Sequence, residues 1–285
     1  TNSSAGALAG PMPEMPEVET IARQLRRRVV GKRIAAVRLS GLPLRKPMPP
    51  GLETDLVGRT IRRVRRYGKY LVLTLEPKAF WLIHLGMSGR LLYHEPGRAE
   101  GAKHTHASIL FADGDGLEYR DPRRFGLLAV YRGATPKSIP EIRALGIDPL
   151  DPRFTGEWLG RRLRGSRREV KSVLLDQKVL AGVGNIYACE ALFEARIHPG
   201  RRCATLSDTE RDRLAAGVQK VMRDAIVRRG TTFSDFRDAD GRAGGHQDFL
   251  AVYLREGKRC IRCGNPVLRM SQGNRSTFFC RQCQR

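Results

Sequence analysis

No stretch of about 18 apolar residues occurs in the chain, so nothing in it reads as a membrane-spanning helix. Acidic residues are scarce beside basic ones: 29 Asp and Glu face 52 Lys and Arg, a net charge of +23. So large an excess does not suit an ordinary solvated surface. It points to a polyanionic partner, nucleic acid first. A basic protein lying on a membrane is the weaker reading, because no lipid-binding helix stands out. Cysteine is scarce too. Six in 285 residues make no disulfide framework. Four of them form two Cys-x-x-Cys pairs near the end, which argues for a metal and a reducing cytoplasm. Residues 1–11 hold no charge and no apolar core, so they make a poor signal peptide and read as a leader ahead of Met12.

The stretch Met12-Pro13-Glu14-Met15-Pro16-Glu17 is unusual. Loss of Met12 and whatever precedes it leaves Pro13 as the terminus, with Glu14 beside it. A terminal proline is a secondary amine, and an amine attacking an aldehyde-like carbon gives an iminium. A neighbouring carboxylate moves the protons. In the chain as written, the Pro13 nitrogen sits in a peptide bond and has no free lone pair. Pro and Glu are also ordinary in a first helical turn. A helix is expected over 14–30, with Val18, Ile21, Ala22, Leu25 and Val29 as its apolar stripe and Gly31 as its stop.

Short strands follow, at 33–39, 60–66, 70–75, 80–85, 90–94, 107–112, 117–120 and 127–131, punctuated by Gly, Pro and Asp. They predict an antiparallel sandwich or barrel. Lys69 follows Gly68 and fits a phosphate contact or a plain solvated lysine. Met87 between two glycines, and Arg123 and Phe125 in one loop, fit wedges in a base stack or caps on the core. His104 and His106 are placed on one strand face, with no third ligand for a metal.

A Pro-, Asp- and Gly-rich stretch, 137–154, reads as a linker. Helices are expected at 155–163, 169–177 and 186–195, the last with Asn185 as N-cap behind glycines that let backbone approach a phosphate. Ser207-x-x-Glu210 is a capping box opening a long helix that ends at Gly230. Residues 235–247 read as a mobile loop. Cys260, Cys263, Cys280 and Cys283 have the spacing of a structural zinc site. The strands at 267–270 and 277–279 make it a zinc-pinned hairpin, and Arg275 near the tip is a candidate phosphate clamp.

Together these stretches, with His84-Leu85-Gly86-Met87-Ser88-Gly89, Asp121-Pro122-Arg123-Arg124-Phe125-Gly126 and Gly184-Asn185-Ile186-Tyr187, resemble the family of bacterial formamidopyrimidine-DNA glycosylases from Met12 to the end. The resemblance implies an α+β, multi-domain fold: an N-terminal β-sandwich with flanking helices (12–136), the linker, a helix–two-turn–helix domain (155–246) and a C-terminal four-cysteine zinc-finger hairpin (247–285). It implies excision of oxidised purines from damaged double-stranded DNA followed by strand cleavage, by a monomer in the bacterial cytoplasm, nucleoid-associated when bound. In that scheme Pro13 is the nucleophile, Glu14 the acid/base and Lys69 a catalytic-site cation. His84, Met87, Arg123, Phe125, Asn185 and Arg275 contact DNA, Glu17 and Glu190 support, and one structural Zn²⁺ binds the four cysteines. The alternatives are an endonuclease VIII-like enzyme for oxidised pyrimidines, or a damage-binding protein without catalysis if Pro13 stays blocked. Met15 departs from the family's usual Leu, a volume-conserving change.

Overall fold

The structure is a computed structural model that describes residues 12–97, 102–133 and 135–285; the leader expected over 1–11 lies outside the described residues. Helix α1 (Met15–Arg28) forms where the stripe predicts it. The Glu17 carboxylate accepts the Glu14 N–H at 2.9 Å, closing the first turn from within. Gly31, at φ +89°, releases the chain after the last turn. Val18, Ile21, Ala22 and Leu25 are fully buried against the strands, whereas Met15 joins a different apolar cluster, among the later helices.

The strands are β1 (Ile34–Leu39), β2 (Thr60–Tyr67), β3 (Tyr70–Glu76), β4 (Ala79–His84), β5 (Arg90–His94), β6 (Thr105–Phe111), β7 (Gly116–Arg120) and β8 (Leu127–Tyr131). They pair antiparallel in two four-stranded sheets, β1-β6-β7-β5 and β2-β3-β4-β8. The expected sandwich is therefore present. Every residue of β4 is buried, because both its faces are covered. Trp81 and Ile83 face the core under α1, while Phe80 and Leu82 meet Ile139 and Ile142. The stretch 137–154 is thus docked on the sheet and carries a short helix, α3 (Pro140–Arg143). That helix and α2 (Leu52–Leu56) were not expected from sequence.

The second half packs α4 (Gly156–Leu163), α5 (Val170–Leu174), α6 (Asn185–Glu194) and α7 (Asp208–Val227) around one apolar core. The Thr155 hydroxyl accepts the Trp158 N–H at 3.1 Å, and the Ser207–Glu210 capping box is formed at the start of α7. The final hairpin, β9 (Leu268–Gln272) with β10 (Arg275–Phe279), adds Val267 and Phe278 to the same core.

Three expectations need correction. The N-cap of α6 is Gly184; Asn185 is the first helical residue, and its amide donates to the Ser276 carbonyl at 2.9 Å. His104 precedes β6 in the left-handed region (φ 67°), so it shares no strand face with His106. His106 is instead a buried bridge between Ser40 Oγ and the Asp121 carbonyl, each 3.0 Å away. Residues 235–247 are not a loose loop: Phe236, Asp238 and Ala239 are buried. The Asp238 carboxylate accepts the N–H groups of Asp240 and Arg242 and the Gln24 amide, at 2.8–3.1 Å, which fastens the segment to α1.

The loop carrying Arg123 and Phe125 is fixed by Asp121. Its carboxylate is fully buried and accepts the Ser88 hydroxyl at 2.6 Å, the Gly126 N–H at 2.8 Å and the Tyr119 hydroxyl at 3.4 Å. Asp121→Ala leaves two buried donors unpaired, the Ser88 hydroxyl and the Gly126 N–H, while the Tyr119 hydroxyl keeps the His84 carbonyl at 3.2 Å. It is expected to lower unfolding free energy by about 2–4 kcal/mol, read from urea denaturation.

Candidate active site

Two turns in different halves of the chain meet around Glu14. Met15 N–H donates to the Gly182 carbonyl at 3.0 Å, docking the start of α1 on the loop before α6. Gln177 shapes that loop: its amide donates to the Val183 carbonyl at 2.8 Å and accepts the Gly182 N–H at 2.8 Å. The Glu14 carboxylate then lies on the first turn of α6. It accepts the N–H groups of Gly184 at 2.8 Å, Ile186 at 2.9 Å and Tyr187 at 3.4 Å. Orphan N–H groups at a helix start need such an acceptor, and here a side chain from the other half supplies it. A Cβ on Gly184 would sit 2.4 Å from the Glu14 carboxyl carbon, so the approach requires glycine.

Burial dominates the electrostatics. The Glu14 carboxyl is pushed up from 4.5 to about 7, first by desolvation and further by Glu17, against the opposing pull of Lys69 and the helix N–H groups. Glu17 is raised by burial too, although it accepts from the Tyr187 hydroxyl, Thr231 N–H and Glu14 N–H. Lys69, at the two-residue turn between β2 and β3, is buried and held below its usual value by desolvation, with Arg275 adding to the effect and Glu14 opposing it. An acid near 7 beside a depressed ammonium is suited to giving and taking protons at neutral pH.

A cleft of about 730 Å³ opens over these groups. Glu14, Lys69, Met87, Asn185 and Arg275 line it, as does Met12, bonded to the buried Pro13. Arg123 and Phe125 stand outside that lining, with the guanidinium 5.0 Å from the half-exposed ring. His84 is buried beside Tyr70, and its Nδ1 accepts the Gly86 N–H at 3.0 Å. Burial, Lys69 and Arg45 lower it to about 4, so it is a neutral imidazole with Nε2–H left to donate. Glu190 is away from the cleft. It accepts the N–H groups of Ala251, Val252 and Tyr253 at 2.8–2.9 Å and so holds the turn that brings Tyr253 to the cleft wall. Tyr253, Phe233 and Ser234 line the cleft and were missed in the sequence, where none sits in a recognisable spacing.

Arg275 depends on the hairpin. The Sγ atoms of Cys260, Cys263, Cys280 and Cys283 all lie within 4.8 Å of one another, with Cys263–Cys280 at 3.5 Å and Cys260–Cys283 at 3.9 Å. A tetrahedral zinc at about 2.3 Å from four thiolates sets them about 3.8 Å apart, so the donor set fits Zn²⁺ in size and chemistry. With four protein ligands no position stays open, and the ion is structural.

A sandwich, a helical unit and a four-thiolate hairpin meet around one cleft that Lys69 and Arg275 line. Comparison with known proteins shows which family builds such a site. Three family models match in order: the Formamidopyrimidine-DNA glycosylase N-terminal domain over 12–128, its H2TH domain over 145–237, and a zinc finger found in FPG and IleRS over 257–285. The formamidopyrimidine-DNA glycosylase of Geobacter sulfurreducens is 43% identical over 274 residues, covering 96% of this chain and all of the relative. MutM (Fpg) protein from Thermus thermophilus superposes with a TM-score of 0.84 at 40% identity, over 95% of this chain and 98% of the other. Lactococcus lactis Fpg, solved with abasic-site DNA, gives 0.85 at 31% identity, over 95% and 99%. The chain belongs to the formamidopyrimidine-DNA glycosylase family.

Because its carboxyl value is raised on folding, Glu14 contributes stability that is complete below about 4.5 and is lost as pH rises through about 7. Glu14→Gln removes this dependence. Relative to the parent, the variant is expected to gain up to about 3 kcal/mol between pH 5 and 8, read from denaturant unfolding across that range. Removing zinc with a chelator is expected to unfold the hairpin and weaken duplex binding at least tenfold, checked by circular dichroism and fluorescence anisotropy.

Proposed function

We propose that the chain is a bifunctional DNA glycosylase and AP lyase that excises oxidised purines, 8-oxoguanine and formamidopyrimidines. The observation that carries this reading is the Glu14 carboxylate, raised to about 7, held beside Pro13 at the floor of a cleft ringed by Lys69, Asn185 and Arg275. The first family model begins its match at Met12, which puts Pro13 second in that alignment and terminal once Met is removed.

A damaged nucleotide must leave the stack before its sugar is reached. The Pro13 amine attacks C1′; the C1′–N bond breaks, and the base leaves with a proton supplied at the site. Ring opening gives an iminium between Pro13 and C1′, with Glu14 donating to the ring oxygen. The iminium acidifies C2′–H. Loss of that proton expels the 3′-phosphate, and a second elimination expels the 5′-phosphate. Lys69, Asn185 and Arg275 hold phosphates on either side, and neutral His84 adds a donor. Met87, Arg123 and Phe125 fill the space the nucleotide vacates. Glu17 acts from below the cleft and Glu190 through the Tyr253 turn. All of these groups come from one chain, consistent with action as a monomer. The Lactococcus lactis relative, solved with abasic-site DNA, supports damaged duplex as the partner here.

The nitrogen of Pro13 must be an amine, so the test compares two chains: one as written and one beginning at Pro13. Each is mixed with a duplex holding 8-oxoguanine opposite cytosine and reduced with borohydride. The Pro13-first chain is expected to give a covalent protein–DNA band and the blocked chain none. Bound duplex without a band from the Pro13-first chain favours a damage-binding protein without catalysis. Faster excision of thymine glycol than of 8-oxoguanine favours the pyrimidine branch.

A further inference from the structure

Glu17 lies one helical turn below Glu14 and is 1% exposed. Its two oxygens face in different directions. Oε2 accepts the Glu14 N–H at 2.9 Å, at the peptide that follows Pro13. Oε1 accepts the Thr231 N–H at 2.7 Å and the Tyr187 hydroxyl at 2.5 Å. The same hydroxyl oxygen lies 3.0 Å from Thr231 Oγ1. Three stretches far apart in sequence therefore meet on one carboxylate: the start of α1, the first turn of α6, and the segment after α7. Two residues beyond Thr231, Phe233 and Ser234 form part of the cleft wall. The chain reaches Glu17 through Gly230, where φ is +79° and an added Cβ would lie 2.7 Å from Glu17 Oε1.

Tyr187 is fully buried, and burial with the Glu17 charge holds its phenol well above the ordinary range, so it stays a donor. Without that donor, the buried Oε1 keeps only the Thr231 N–H. The carboxylate then keeps one N–H donor on each oxygen, and the phenol's pull against burial is gone, so its value is pushed further up.

We infer that the Tyr187 hydroxyl is a positioning group: by donating to Oε1 of Glu17, whose Oε2 holds the Glu14 N–H, it sets the Phe233–Ser234 wall in register with the Pro13–Glu14 turn, so that an extruded base is held while its bond to C1′ breaks. This rests on the excision reading above. The wall matters while a base is present. It has nothing to hold once the base has gone, so the two half-reactions respond differently.

The test uses the Pro13-first chain and its Tyr187→Phe variant, which removes one oxygen and adds no bulk. Single-turnover excision is measured on the 8-oxoguanine duplex, and strand cleavage on a duplex carrying a preformed abasic site. Thermal melting and affinity for a duplex with a reduced, uncleavable abasic site are measured alongside. The expected result is excision about tenfold slower, abasic cleavage slowed no more than about threefold, and that affinity within twofold of the parent. Gly230→Ala, which presses on the same oxygen from the other side, is expected to give the same split. Equal losses in both half-reactions, or unchanged excision in both variants, overturns the inference. Failure of the parent itself to cleave the abasic duplex would instead overturn the repair reading, so the two failures are distinguishable.

Discussion

The structure depends on a carboxylate that belongs to one domain and completes the helix of another. Glu14 opens α1, yet its oxygens satisfy the first N–H groups of α6. An isolated buried carboxylate is costly, and an uncapped buried helix start is costly too. Each relieves the other, but only if the two halves of the chain are docked. The relief is incomplete, because burial still outweighs the N–H groups and leaves the carboxyl near 7. The imbalance that a purely structural cap would avoid is what proton transfer at neutral pH requires.

The residues proposed to hold phosphates share a structural habit. Lys69 sits at a two-residue turn, Asn185 at a helix start, and Arg275 at the end of a hairpin. At such places backbone geometry is set by few residues, so a side chain is aimed with little entropy to lose. The hairpin lacks core enough of its own and takes its shape from four sulfurs in a tetrahedral set.

Much of this was legible in the sequence where the signal is local. Short runs punctuated by Gly, Pro and Asp marked the β-strands, the 3.6-residue stripe marked α1, the capping box marked α7, and cysteine spacing marked the zinc hairpin. What was lost is what contacts decide. A four- or five-residue helix such as α3 or α2 has too few turns to show a period. Asp238 reads as a solvated charge among glycines, yet Gln24, 214 positions away, helps bury it. Glu190 reads as a site carboxylate, yet its three partners are backbone N–H groups that no side-chain pattern reveals. Tyr253 belongs to no motif and reaches the cleft only because Glu190 folds that turn. The packing of the 137–154 stretch was hidden for a similar reason: Ile139 and Ile142 are isolated apolar residues until β4 offers them a face.

Helix α1 is divided between two cores, with Met15 in the helical cluster and Val18 onward in the sandwich. No break separates the two: the Val18 N–H donates to the Glu14 carbonyl at 3.1 Å within one continuous helix. The same rod therefore belongs to both cores, and a loosening of either is felt at the Glu14 turn. A filler lost at Met15 loosens that turn from the helical side, and one lost at Val18 from the sandwich side.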